Sequence, residues 1–329
     1  MPTNLPSDYY KIEELFREAQ TNEERIRYLE EMMAIVPKHK GTDHLRADLK
    51  RKLAKLKDTS ETKKSSSRQD SPYHIDREGA GQVVLIGPAN TGKSAMLTAL
   101  TNATPNVAEY PFTTWTPTPG MMEVGNVQIQ LIDTPSLDRE YIEGEMINLF
   151  HRADLLLLVV DLQAFPIEQI ETSIAFLEAR RIAPLSRKAH YAGQPGFTFI
   201  PLLVAVNKCD DEVGDGDFEV LCELLEGEDW PMVPISATSG RKADQLKQAV
   251  FDQLDIVRIY AKPPGKDPDF SQPFVMKKGG TVVEFAGKVH RDFLDSLKSA
   301  RVWGSAAHDG LLVSRDHVLQ DGDVVELHI

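Results

Sequence analysis

The chain reads as an α/β protein in three parts: an N-terminal helical region, a central domain with a mainly parallel sheet, and a small α+β domain at the C-terminal end. Three observations carry this. Short apolar runs alternate with helical patterns through the middle of the chain, the arrangement of βαβ units. Those runs are Val/Ile/Leu-rich almost throughout, as in strands covered by helices on both faces. The last stretch, Asp323 to Ile329, alternates with period two behind a turn at Gln320-Asp321-Gly322-Asp323.

The first region, residues 1–60, sets Ile12, Leu15, Phe16 and Ala19 at helical spacing. Thr21-Asn22-Glu23-Glu24 has capping-box form and predicts the start of a second helix. Leu45, Leu49, Leu53 and Leu56 make a third apolar stripe, flanked by Lys50, Arg51, Lys52, Lys55 and Lys57. That basic run is a candidate RNA or ribosome contact. Residues 61–79 begin polar and Ser-rich and read as a flexible linker. The central domain, residues 80–255, carries the runs QVVLIG, VQIQLID, LLLLVVD, FIPLLVAVNK and PMVPISA. Between the third and fourth runs, residues 178–198 read as a loop. The last domain, residues 256–329, opens with the loop PPGKDPDFSQP and holds one short helical stretch.

Composition excludes several classes. A net charge of -13 argues against coating nucleic acid with the whole surface, although a local basic patch is compatible with it. Cys209 and Cys222 cannot build a disulfide framework and read as reduced thiols. The histidines are scattered without ligand spacing and read as surface or packing residues, and Trp303 reads as core of the small domain. The N-terminal MPTNLPSDYY lacks the basic-then-apolar pattern of a signal peptide, and Leu155–Val160 is too short to span a bilayer. The expectation is a cytoplasmic protein without a membrane partner.

Gly87-Pro88-Ala89-Asn90-Thr91-Gly92-Lys93-Ser94 matches G-x-x-x-x-G-K-[ST] in full, after a strand pattern and before a helical one that starts with Ala95. Glycines let such a backbone wrap phosphates, whose oxygens then face loop amides and a helix N-terminus. Lys93 would neutralise the β- and γ-phosphates, and the Ser94 hydroxyl would ligate Mg²⁺. Asn207-Lys208-Cys209-Asp210 follows another apolar run. A carboxylate at Asp210 can accept from N1–H and the exocyclic amine of guanine, a donor pair adenine lacks. Asn207 would brace the phosphate loop, the Lys208 stem would lie on the ring, and a backbone N–H at Ser236-Ala237 would meet the guanine O6. Asp133, at the end of VQIQLID, suits Mg²⁺. Thr113 and Thr114, between the phosphate loop and Asp133, are placed to complete the metal shell when a γ-phosphate is present.

With these motifs laid out, the chain resembles the Obg-related TRAFAC GTPases, and most closely the branch of developmentally regulated GTP-binding proteins (DRG). The segment Tyr110-Pro111-Phe112-Thr113-Thr114 is similar to that branch's first switch, VPKHKGTDHLRADLKRKLAKL to its N-terminal helical region, and GGTVVEFAGKVHRDFLDSLKSARVWG with HVLQDGDVVELHI to a β-grasp TGS domain. The resemblance implies a P-loop GTPase domain, GTP hydrolysis, and a ribosome, rRNA or translation-factor partner. By position it implies Lys93 and Thr114 as catalytic, Ser94, Thr114 and Asp133 as Mg²⁺ ligands, and Asn90 as the asparagine that helps hold K⁺ in potassium-stimulated relatives. The rival functions are a GTP-binding scaffold with negligible hydrolysis and an ATPase, the latter opposed by Asp210.

Two departures stand out. DRG relatives carry a small domain inserted in the GTPase region, for which residues 178–198 leave only a loop. The third box usually reads Asp-x-x-Gly, but here it is Asp133-Thr134-Pro135-Ser136, followed by Leu137 where many GTPases keep a water-orienting glutamine. A Cβ at Ser136 restricts rotation that glycine allows, so switching should be slow or partner-dependent. Ser136→Gly is therefore expected to raise the GTPase rate or change GTP/GDP discrimination, read by single-turnover phosphate release. An unchanged rate and ratio would make the serine incidental.

Overall fold

The computed structural model describes Ile12, Phe16 and residues 22–36, 49–53, 73–101, 117–139, 141–227, 230–305 and 308–328. The capping-box Thr21, the basic residues Lys55 and Lys57, residues 61–72 of the expected linker, and Thr113 and Thr114 lie outside the described residues.

The chain divides into two compact units, residues 1–74 and 75–329. In the first, helix α1 (Asn22–Ile35) presents Leu29 and Met32, which bury with Val36 and Leu49 and pack against Ile12, Phe16 and Leu53. Ile12 and Phe16 of the first stripe and Leu49 and Leu53 of the third thus meet in one small core, while Leu15, Ala19, Leu45 and Leu56 lie outside the described residues.

The second unit is organised on a six-stranded sheet of order β2-β3-β1-β4-β7-β8. Its central strands are β1 (Gln82–Ile86), β4 (Leu155–Asp161) and β7 (Leu202–Asn207), buried along their whole lengths. Such strands need apolar residues on both faces, which is why they read as continuous runs. β2 (Thr118–Val124) and β3 (Val127–Asp133) form an antiparallel hairpin, and every other pairing, out to β8 (Met232–Pro234), is parallel. The register sets Leu85 beside Asp133 and Asp161 beside Asn207, so the polar ends of three strands converge at one edge of the sheet. Helices α2 (Lys93–Leu100), α3 (Gly144–Arg152), α4 (Pro166–Glu178), α5 (Glu212–Leu224) and α6 (Ala243–Gln253) connect the strands.

Residues 178–198, read as a plain loop, hold structure. β5 (Ile182–Pro184) and β6 (Thr198–Ile200) pair in parallel, with a 3₁₀ helix, Leu185–Tyr191, between them. Strands of three residues leave no period to read. Aromatic packing holds them instead, Tyr191 stacking on Phe197 with ring centroids 4.4 Å apart.

A second sheet of order β10-β9-β13-β11-β12 starts at β9 (Ile256–Ala261), directly behind α6. It comprises β10 (Phe274–Lys277), β11 (Ser299–Trp303), β12 (Leu311–Val313) and β13 (Val324–His328), and α7 (Val282–Val289) lays Val282, Phe285 and Ala286 on its core. Thr281 and Glu284 close a capping box at the start of α7. A second short helix, α8 (Arg291–Ser296), follows where only one was expected. No helix among the described residues is long and apolar enough to cross a membrane.

Candidate functional site

The site forms where β1, β3, β4 and β7 end. Residues 87–92 carry the chain from β1 into α2, and two glycines there are sterically required. A Cβ at Gly87 would lie 2.3 Å from the Val159 carbonyl oxygen, and one at Gly92 would lie 2.3 Å from Asn207 Nδ2. Both also have positive φ, 141° and 92°. The loop can therefore lie against β4 and Asn207 only without side chains at these points. Lys93 is buried, and its Nζ donates to the carbonyls of Gly87 at 2.9 Å and Pro88 at 2.5 Å. Burial pulls its pKa down to about 8, opposed by Asp133 and Asp138. Asn90 sits exposed at the loop tip with φ 62°. Asn90, Lys93, Ser94, Ser136 and Arg139 are among the residues lining a cleft of about 280 Å³ above the loop.

Asp133 closes β3 with 1% of its surface exposed. Its Oδ2 accepts from Ser94 Oγ at 2.5 Å, whereas Oδ1 is buried without a hydrogen-bond partner. An unsatisfied buried acceptor costs about 1–3 kcal/mol. Burial also raises the Asp133 pKa, against hydrogen bonding by Ser94 and the charge of Lys93. An oxygen-seeking divalent cation resolves this arrangement, so Ser94 and Asp133 fit Mg²⁺. The described residues hold no group of three or more His, Cys, Asp or Glu placed for a metal, so Ser94 and Asp133 are the ligand candidates among them.

The residues after Asp133 fold back onto the phosphate loop. Leu137 is buried, and its N–H donates to the Gly87 carbonyl at 3.1 Å. Asp138 Oδ2 accepts from the Ala89 N–H at 3.1 Å. Partial burial opposes ionisation of Asp138, yet hydrogen bonds from the Ser136 hydroxyl and from Ala89 hold its pKa below the usual carboxylate value. Ser136 thus does more than occupy a glycine position, because its side chain orients Asp138. Asp138 and Arg139 were not singled out from the sequence. The Ser-Leu-Asp-Arg string offers no motif, and its meaning depends on the fold-back.

The base-side loops are stitched together by Asn207. Its Nδ2 donates to the Thr91 carbonyl at 2.8 Å, and its Oδ1 accepts from the Ala237 N–H at 2.9 Å. Asp210 lies exposed at the surface and accepts from Ser236 Oγ at 2.5 Å. Lys208, at φ 66°, bonds Asp161 through its ammonium. Behind this layer, Asp215 on α5 takes Arg241 at 2.7 and 2.5 Å, Lys242 at 2.5 Å, and the Cys209 thiol at 3.2 Å. Hydrogen bonds from Arg241 and Lys242 drive the Asp215 pKa far down, and burial pushes the Cys209 thiol up to about 11. Asp161 and Asp215 were missed. An aspartate ending LLLLVVD was the one available signal for the former.

This is an α/β protein with a phosphate-loop motif that Asn207 fastens to a second loop carrying Ser236 and Ala237. Residues 82–208 match the family described as 50S ribosome-binding GTPase, and residues 257–329 match the TGS domain. The chain is 30% identical to an uncharacterized GTP-binding protein of Methanocaldococcus jannaschii, with 93% of each chain covered. It is 30% identical to developmentally-regulated G-protein 2 of Arabidopsis thaliana, over 92% of this chain and 90% of the relative. It is 27% identical to ribosome-interacting GTPase 1 of Saccharomyces cerevisiae, over 93% and 99%. The fold matches the YchF GTPase of Schizosaccharomyces pombe with TM-score 0.53 at 12% identity, covering 77% of this chain and 99% of that one. The chain belongs to the GTP-binding proteins that join a P-loop GTPase domain to a C-terminal TGS domain.

Two outcomes follow from this geometry. Asp215→Ala should speed release of a fluorescent GDP several-fold and narrow the preference for guanine over hypoxanthine nucleotides, because Asp210 and Ser236 lose the frame behind them. Unchanged release with an unchanged preference would reduce Asp215 to a surface ion pair. A Lys93 that loses its proton near pH 8 should bind phosphates less well above that value. GDP affinity is thus expected to fall by up to about tenfold per pH unit between about pH 8 and 9, while Lys93→Ala, already weak, stays flat. Parallel slopes for the two proteins would assign the loss to the guanine ring instead.

Proposed function

We propose that the protein hydrolyses GTP to GDP and phosphate in an Mg²⁺-dependent reaction and acts as a slow switch on a ribosome or translation-factor partner, within the DRG branch. The observation that carries this reading is the joint placement of Lys93, Ser94 and the unpartnered Asp133 Oδ1 beneath one loop, with Asn207 fastening that loop to Asp210 and Ser236.

Each residue then has a task. The amides of residues 90–94 and the N-terminus of α2 bind phosphate oxygens, and Lys93 adds charge where the β- and γ-phosphates separate. Ser94, Asp133 and Thr114 would hold Mg²⁺, which when bound offsets charge on those phosphates. Asp210 selects guanine, the Ala237 region receives its O6, and Lys208 covers the ring. Leu137 is buried and apolar and cannot orient water, so the chain's own residues contribute positioning and electrostatics alone. A low intrinsic rate follows, raised by a partner. A potassium site at Asn90 rests on the resemblance, and equal rates in K⁺ and Na⁺ would remove it. Ribosome association follows from the relatives' names and would place the protein in the cytoplasm.

Phosphate release measured with and without ribosomes tests this reading. The wild type is expected to exceed a Lys93→Ala control, most clearly with ribosomes present, and to pellet with ribosomes more strongly in GTP than in GDP. No release above the control in either condition would leave a GTP-binding scaffold, and pelleting indifferent to nucleotide would end the switch reading.

A further inference from the structure

The connection between α4 and β7 departs from the economy of the rest of the domain. It runs over 23 residues, 179–201, where αβ connections usually take about 2–6. Its composition is also unlike the chain's. Residues 179–201 contain four Lys or Arg and no Asp or Glu, in a chain of net charge -13. Charge segregated this way marks a surface that meets an anion.

The fold arranges these cations around aromatic rings. In the 3₁₀ helix Leu185–Tyr191, residues three apart share a face, which aligns Lys188 with Tyr191. Tyr191 stacks on Phe197 at 4.4 Å and an interplanar angle of 30°. The Arg181 guanidinium lies over Phe197, 5.1 Å from its centroid, and that of Arg180 lies 3.4 Å from the centroid of Phe176. Arg181 and Lys188 are exposed, and Tyr191 and Phe197 are half-buried. The adjacent carboxylate, Glu178, is already taken by Arg187 at 3.1 Å and by the Tyr191 hydroxyl. The result is a ridge, Lys188–Tyr191–Phe197–Arg181, in which two stacked rings lie between two cations.

We infer that this ridge is a contact surface for single-stranded RNA. Lysine and arginines meet phosphates, and aromatic and guanidinium planes offer unstacked bases a surface to stack on. An acidic peptide would use the charges but leave the rings without purpose. The inference rests on the ribosome-associated reading for the source of the RNA, while the surface itself stands on the residues above.

Fluorescence anisotropy of the full chain with a labelled single-stranded RNA of about 16 nucleotides, across a salt series, tests it. With Lys188, Arg181 and the neighbouring Arg180 engaged, log K should fall with log salt at a slope of about -2. Arg181→Glu with Lys188→Glu should weaken binding at least about tenfold and flatten the slope by more than half, with GDP affinity unchanged. Both side chains are exposed, and the unchanged GDP affinity shows that the fold has survived their loss. The neutral pair Arg181→Gln with Lys188→Gln should fall between wild type and the reversed pair. RNA affinity equal across wild type and both variants overturns the surface, as does wild-type preference for an acidic peptide over RNA. Ribosome pelleting run in parallel separates the two readings. A wild type that binds RNA through the ridge yet does not pellet with ribosomes overturns the ribosome reading alone. Variants that pellet like the wild type but bind RNA no differently overturn the ridge alone.

Discussion

Everything at the nucleotide site depends on one carboxamide. Asn207 lies at the end of a fully buried strand, and its two amide atoms bond in opposite directions, to Thr91 in the phosphate loop and to Ala237 in the base loop. Neither loop has a regular hydrogen-bond ladder of its own to set its distance from the other. The glycine at position 92 exists to admit this bond, since any side chain there would displace Asn207. The phosphate-loop motif and the loop at Ala237 are therefore tied through one side chain.

A second frame encloses the first. Asp215 draws Arg241, Lys242 and the Cys209 thiol to one point, joining α5 to the base loop from behind. Asp138 and Leu137 do the same on the phosphate side through Ala89 and Gly87. The contacts at Asp215 and Asp138 reach the surface, whereas the Leu137 N–H and the Cys209 thiol are buried beneath them.

The P-loop fold and the small C-terminal domain were legible because their determinants are local. Apolar runs announced β1, β4 and β7, and the spacing of Gly87, Gly92, Lys93 and Ser94 announced the loop. Asp161, Asp215, Asp138 and Arg139 were illegible for the opposite reason. Each gains its meaning from a partner dozens of residues away or from a fold-back, and an isolated aspartate carries no record of either. The stretch 178–198 was read as a loop because three-residue strands fall below any period, and its order comes from ring stacking between Tyr191 and Phe197.

The hairpin of β2 and β3 has its two ends at different addresses. Thr118 and Asp133 are paired at the nucleotide end. At the turn, Asn126 donates to the Tyr260 hydroxyl and to the Phe270 carbonyl of the small domain, both at 2.9 Å. Seven extended residues span roughly 23 Å, and a paired strand resists compression along its length. The hairpin thus joins the Asp133 carboxylate to the small domain through one continuous paired element.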